Sequence, residues 1–324
     1  MVAALEELGK IGVVPVIKID DPEKAVPLAR ALLAGGIPCA EITFRTGAGA
    51  EALGRICREV PEILCGAGTV LTVEQADRAA AAGAKFIVTP GFNPRVVRRC
   101  LEKGVPVAPG CSGPSDMEAA LEAGLDVVKF FPAEQAGGLG YIKAVSAPYP
   151  SLMFMPTGGI NAGNIASYLA CGKVLACGGS WMVPPDRISA GDFGAVTALC
   201  REAVAEVLGF SLAGVGIKAA GEGEAREAAR LFGTLFGIAR KGGARPAFGG
   251  EGVGIAEPPC PGKYGYIAIG TNSLKRGMAY LEREGFSFSP DNAETDSRGA
   301  PAAVYLDSGI AGFAMRLVQK KHSV

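Results

Sequence analysis

The feature that most limits how this chain can fold is a rhythm. From Val13 to about Gly209, short apolar or β-branched runs alternate with amphipathic stretches, at a spacing of roughly 20 residues. The runs are VVPVIKI (13–19), CAEITF (39–44), LCGAGTV (64–70), FIVTP (86–90), PVAPGC (106–111), VVKFFP (127–132), LMFMPTGG (152–159) and VLACGGS (174–180). Between them, EKAVPLARALLAGG, VEQADRAAAAGA and NPRVVRRCLEKG carry helical patterning and end in glycine, as a helix C-terminus prefers. Strands joined through helices run parallel, and eight such units predict an α/β fold, a closed (β/α)8 TIM barrel over residues 1–209. An open doubly wound sheet is the alternative, and the lack of GxGxxG after the first strand weighs against it.

After Phe210 the rhythm changes. GVGIK (214–218), EAREAARLFGTLFG (224–237), PAFGG (246–250) and GVGIAE (252–257) read as strand, helix and short strands. The proline- and glycine-rich join EPPCPGKYG (257–265) interrupts regular structure. YGYIAIG, SLKRGMAYLEREG, FSFSP, AAVYLD and GFAMRLVQ then repeat the order. Residues 210–324 are therefore expected to form a smaller α+β domain of tandem βαβββ modules.

Composition narrows the setting. Formal net charge is zero, with 49% hydrophobic and 20% charged residues, a profile that suggests neither a nucleic-acid surface nor an acidic tail. MVAALEELGK lacks the basic start and apolar run of a signal peptide, and no stretch has the ~20 apolar residues of a membrane span. The nine cysteines include no CxxC pair and read as small core residues of a cytoplasmic protein. The single histidine, His322, is in the tail.

Against that background Lys129 stands out, because it lies within the apolar run VVKFFP. Burying an ammonium group is costly unless it is paired or loses its proton, and an amine in an apolar site loses part of its preference for the charged form. Strand alternation places Lys129 on one face with Val127 and Phe131, Glu41 with Thr43 and Arg45, and Thr69 with Cys65 and Ala67. If these faces point into the barrel, an amine, a carboxylate, a guanidinium and a hydroxyl converge where such barrels hold their active sites. A neutral amine attacks a ketone to give an imine, a carboxylate moves protons, and a guanidinium grips a neighbouring carboxylate. Gly158, Gly159, Gly179 and Ser180, at the ends of strands seven and eight, would offer backbone N–H groups to a phosphate. Each signal also has a plainer reading: a snorkelling or ion-paired lysine, a Glu41–Arg45 salt bridge, glycine turns.

The same residues carry a resemblance. VVPVI, AEITFRT, GAGTVL, VTPGF, VKFFPAE, PTGGI and GGSWMVP, in order through residues 10–209, resemble the 2-dehydro-3-deoxy-6-phosphogluconate aldolase and 4-hydroxy-2-oxoglutarate aldolase family. The resemblance implies a class I, metal-free pyruvate aldolase of carbohydrate (Entner–Doudoroff) metabolism, usually a homotrimer, acting on small molecules. It implies Lys129 as the Schiff-base lysine, Glu41 as the general acid/base, and Arg45 and Thr69 as binders of substrate and pyruvate carboxylate. Pro90 and Phe131 match pocket walls, and Gly158, Gly159 and Ser180 the phosphate end, with Gly179 beside them. The second domain resembles the vicinal-oxygen-chelate fold of glyoxalases and bleomycin-resistance proteins. The metal-binding histidines of that fold are missing from LAGVGIK and YGYIAIG, and Arg316 stands where a glutamate is common, so no metal is expected. Two other functions stay open: a non-catalytic oxo-acid sensor, and a phosphate-binding epimerase or isomerase, which would more naturally use paired acids or a metal.

Overall fold

The computed structural model describes residues 2–236, 252–256 and 260–321. PAFGG at 246–250, part of EPPCPGKYG and His322 lie outside them. The chain divides into two units, Met1–Val207 and Leu208–Val324.

In the first unit, eight strands follow the sequence runs but are shorter: β1 (Val13–Ile17), β2 (Cys39–Thr43), β3 (Leu64–Gly68), β4 (Ile87–Val88), β5 (Val107–Ala108), β6 (Val127–Phe130), β7 (Met153–Pro156) and β8 (Cys177–Gly179). A parallel six-stranded sheet runs β5-β4-β3-β2-β1-β8, and β6 pairs with β7 in a parallel two-stranded sheet. Isolated parallel bridges link Gly110 with Lys129 and Thr157 with Gly178. Helices separate the strands, and their starts are written locally. The Thr72 side chain accepts from the Gln75 N–H to cap helix Val73–Ala81, and Asn93 caps helix Pro94–Glu102, where proline sits comfortably in the first turn. The strands are buried on both faces, as a parallel sheet covered by helices requires. Phe86, Phe130 and Phe154 are fully buried, each worth roughly 1.5–3 kcal/mol of transfer free energy.

The second unit holds one mixed sheet, from β9 (Ser211–Lys218), β10 (Gly252–Ala256), β11 (Gly265–Thr271), β12 (Phe288–Thr295), β13 (Pro301–Leu306) and β14 (Phe313–Gln319), in the order β10-β9-β11-β14-β13-β12. The later half runs strand, helix, three strands; the earlier half shows strand, helix, strand among the described residues. Helix Glu222–Phe236 packs through Ala225 and Ala229 on Ile255 and Ile217, and helix Leu274–Arg283 packs through Leu274 on Val304 and Leu317. Tyr266 and Arg316 project to the opposite face. The Tyr266 ring lies on Gly216, where an added Cβ would come within 2.2 Å of it. Arg316 Cζ stands 5.6 Å from the Tyr266 ring and 5.7 Å from that of Tyr305, and its guanidinium pairs with Glu294.

Candidate active site

Lys129 is held by its backbone before its side chain does anything. Its N–H donates to Pro109 O and its carbonyl accepts from Cys111 N, both at 2.8 Å, while β7 pairs along its other edge at Met155. Locked between two neighbours, the strand carries the side chain into the interior, where the residue is 4% exposed. Glu41 arrives from β2, between Val16 of β1 and Gly66 of β3, and is 1% exposed. Lys129 Nζ lies 3.5 Å from Glu41 Oε1 and 5.4 Å from the centre of the Phe131 ring. That separation is at the outer limit of a hydrogen bond, as is common for catalytic pairs before substrate tightens them. The two groups are 88 positions apart in sequence and meet because each is carried by a fully buried strand.

The third strand corrects the sequence reading. Alternation puts Cys65, Ala67 and Thr69 on the face of Glu41, but Gly66 and Gly68 occupy it. A Cβ on Gly68 would lie 2.1 Å from Glu41 Oε1, so only glycine leaves room for the carboxylate there. Cys65 instead meets Cys57 on helix Gly49–Glu59. Thr69 follows the strand with φ 57°, a left-handed conformation that a β-branched residue keeps only where its surroundings hold it. Once the backbone turns that way, period-two alternation no longer says where its side chain goes.

A cavity of about 220 Å3 is lined by Lys18, Arg45, Phe131, the turn Gly158–Ile160 and the strand end Gly178–Ser180, among others. Six of the residues singled out from sequence therefore share one wall system: Arg45, Phe131, Gly158, Gly159, Gly179 and Ser180. Lys129 and Glu41 are not in that lining and adjoin it through the Phe131 ring. Thr69 and Pro90 are not in it either. The Pro90 backbone instead abuts Gly110, where an added Cβ would be 2.2 Å from Pro90 O; Gly110 is the bridge partner of Lys129. Arg45 makes no ion pair or hydrogen bond among the described residues, so its guanidinium is available to a ligand. Lys18 was missed. It lies within the apolar run VVPVIKI, the signal that marked Lys129, and its ammonium pairs with Asp20 at 2.9 Å.

Cys111, whose N–H donates to the Lys129 carbonyl, does not compete for the role of nucleophile. Burial pushes the Cys111 thiol up to about 12, which keeps it protonated near neutrality. Among the described residues no three His, Cys, Asp or Glu side chains gather as a metal site, and no helix is long and apolar enough to cross a membrane.

A family model described as KDPG and KHG aldolase matches residues 5–199, more than half of the chain. The chain belongs to that family. Its relatives include the 2-dehydro-3-deoxy-phosphogluconate aldolase of Treponema pallidum, 55% identical over 202 residues that span 62% of this chain and 96% of the relative. The KHG/KDPG aldolase of Escherichia coli K12 is 44% identical over 192 residues, 59% of this chain and 90% of that one. Among solved structures, the KDPG aldolase of Legionella pneumophila, with pyruvate captured at low pH as a covalent carbinolamine intermediate, is 39% identical with a TM-score of 0.59. It covers 61% of this chain and 96% of its own. The aldolase match takes in every residue of the cavity and the Lys129–Glu41 pair, and it ends before the second unit begins.

Proposed function

We propose that this aldolase cleaves 2-dehydro-3-deoxy-6-phosphogluconate to pyruvate and glyceraldehyde 3-phosphate, and 4-hydroxy-2-oxoglutarate to pyruvate and glyoxylate, through an imine on Lys129. One observation carries the reading beyond family membership: a nearly water-excluded amine 3.5 Å from a nearly water-excluded carboxylate. In this scheme Glu41 takes a proton from the Lys129 ammonium, and the amine adds to the C2 ketone to give a carbinolamine. Glu41 returns that proton to the carbinolamine hydroxyl, which leaves as water to give the iminium and restores the carboxylate. Glu41 then accepts the C4 hydroxyl proton as the C3–C4 bond breaks, and the bonding pair moves into the iminium to leave an enamine. The aldehyde departs, Glu41 returns a proton to C3, and water releases pyruvate from the lysine. The iminium nitrogen is the electron sink, so the scheme has no step for a metal or cofactor.

Around these two groups, Arg45 and Thr69 bind substrate carboxylate, Pro90 and Phe131 wall the pocket, and Gly158, Gly159, Gly179 and Ser180 take the phosphate. Lys18 adds a cation at that end. The bridges beyond the two sheets are read as completing a (β/α)8 barrel over residues 1–209. Residues 210–324 are read as tandem vicinal-oxygen-chelate-like modules without a metal, which pack against other protein surface or bind a small acid. A cytoplasmic homotrimer completes the reading, and sedimentation of the full chain tests its oligomeric part. The function itself is tested by pyruvate release, followed with lactate dehydrogenase and NADH, on each substrate in turn. Turnover of the phosphorylated acid is expected, and no pyruvate from either compound would overturn the proposal.

A further inference from the structure

The glycine turn after β7 is gripped from behind. Gly158 and Gly159 have φ of 98° and 82°, a region that strains any residue with a side chain. Their carbonyls are both engaged. Gly158 O accepts from the Glu134 N–H at 3.1 Å, and Gly159 O accepts from the side-chain amides of Asn161 at 3.2 Å and Asn164 at 3.0 Å. In a planar trans peptide the N–H points opposite to the C=O. Pinning these two carbonyls therefore fixes the direction of the next two N–H groups, those of Gly159 and Ile160. Neither N–H has an acceptor among the described residues, and both residues line the 220 Å3 cavity. Successive N–H groups aimed from a tight turn into a concavity form a site for an anion.

Glu134, the last residue of the KFFPAE run, braces this turn with its side chain as well as its backbone. A Cβ on Gly159 would lie 2.5 Å from Glu134 Cγ, so the side chain lies directly against the glycine. Its carboxylate accepts a hydrogen bond from the hydroxyl of Tyr168, a residue 2% exposed on helix Ile165–Leu169. Gly138 makes room for the pair, since a Cβ there would come within 3.0 Å of the Tyr168 oxygen and 3.2 Å of Glu134 Oε1. Burial and the neighbouring carboxylate both push the Tyr168 hydroxyl up, so it stays a donor. Without that donor the Glu134 side chain loses the hydrogen bond that holds it in place against the turn.

We propose that Glu134 and Tyr168, with Asn161 and Asn164, are positioning residues that set the Gly159 and Ile160 N–H groups for the phosphate of the phosphorylated substrate. They thereby favour it over the unphosphorylated one. The proposal rests on the aldolase reading above and concerns its specificity. Its test is steady-state kinetics of the full-length protein and its Tyr168→Phe and Glu134→Gln variants on both substrates, with calorimetric titration of inorganic phosphate.

In Tyr168→Phe, KM for 2-dehydro-3-deoxy-6-phosphogluconate is expected to rise about tenfold, as loss of one well-placed hydrogen bond to a charged group would give, with kcat little changed. Parameters for 4-hydroxy-2-oxoglutarate should stay within twofold, roughly the scatter of such assays. Phosphate binding should weaken alongside, and Glu134→Gln, which keeps an acceptor for Tyr168, should retain most of the discrimination. Equal losses on both substrates, or none on either, would overturn the proposal. If the unmodified protein cleaved neither substrate, the aldolase reading would fail. The phosphate titration would still decide the cradle, because equal phosphate affinity with and without the Tyr168 hydroxyl rules it out.

Discussion

Each unit of the molecule carries a cation on a strand beside a carboxylate, and the two pairs are built for different ends. In the first unit, Lys129 faces Glu41 with 5% and 1% of their side chains exposed, at 3.5 Å. In the second, Arg316 faces Glu294 with 22% and 47% exposed, its guanidinium flanked by the rings of Tyr266 and Tyr305. A guanidinium stays protonated in proteins and cannot serve as a nucleophile, and flat stacking on aromatic faces suits it as a structural cation. An amine can give up its proton to a neighbouring carboxylate and then attack a carbonyl. On the proposed mechanism, the loose contact in a closed interior belongs to the reactive pair, whereas ring contacts and an exposed carboxylate suit a pair that holds a sheet face together.

The contrast breaks first at Lys129. Lys129→Ala should bring pyruvate release down to the level of buffer while the chain stays folded by circular dichroism. Next is Glu41→Gln, which keeps the shape but removes the base; kcat should fall by roughly 10²–10⁴ in the same assay. Gly68→Ala comes third. The new methyl would meet Glu41 Oε1 at 2.1 Å and displace it, and a shift of that size costs on the order of 10²-fold in kcat. Arg316→Ala should leave cleavage untouched and lower the unfolding free energy of the second unit by about 1 kcal/mol, from lost ring contacts, read in urea titrations. Loss of aldol cleavage in that variant would mean that the two pairs are not independent.

The smallest effect belongs to the surface. Arg99 holds the Asp77 carboxyl below its usual range. The folded value is depressed, so the contribution is present above the unfolded value and disappears as pH falls through the folded one. The gap in melting temperature between the protein and Asp77→Asn should be small at pH 7 and close below about pH 4.

Much of the first unit was legible because its signals are local. Apolar runs at a steady spacing gave the strands, a charge inside such a run marked Lys129, and strand alternation put Glu41 on one face with Thr43 and Arg45. Lys18 carried the same signal as Lys129 within the first run. What sequence could not show depends on backbone direction or distant partners. Thr69 leaves the strand phase through a left-handed residue, so counting by twos failed there and hid Gly68 as the neighbour of Glu41. Glu134 and Tyr168 are separated by 33 intervening positions, and nothing in either stretch announces the other. In the second unit, alternation located most strands, but their pairing into one mixed sheet, with β11 beside both β9 and β14, follows from tertiary contacts that short motifs do not encode.

Whether Lys129 is the carbon-binding amine is decided by incubating the protein with pyruvate and sodium borohydride and mapping the adduct by peptide mass spectrometry. Reduced pyruvate is expected on Lys129, and none in Lys129→Ala. A folded, unmodified protein after that treatment, or an adduct on another lysine, would contradict that role.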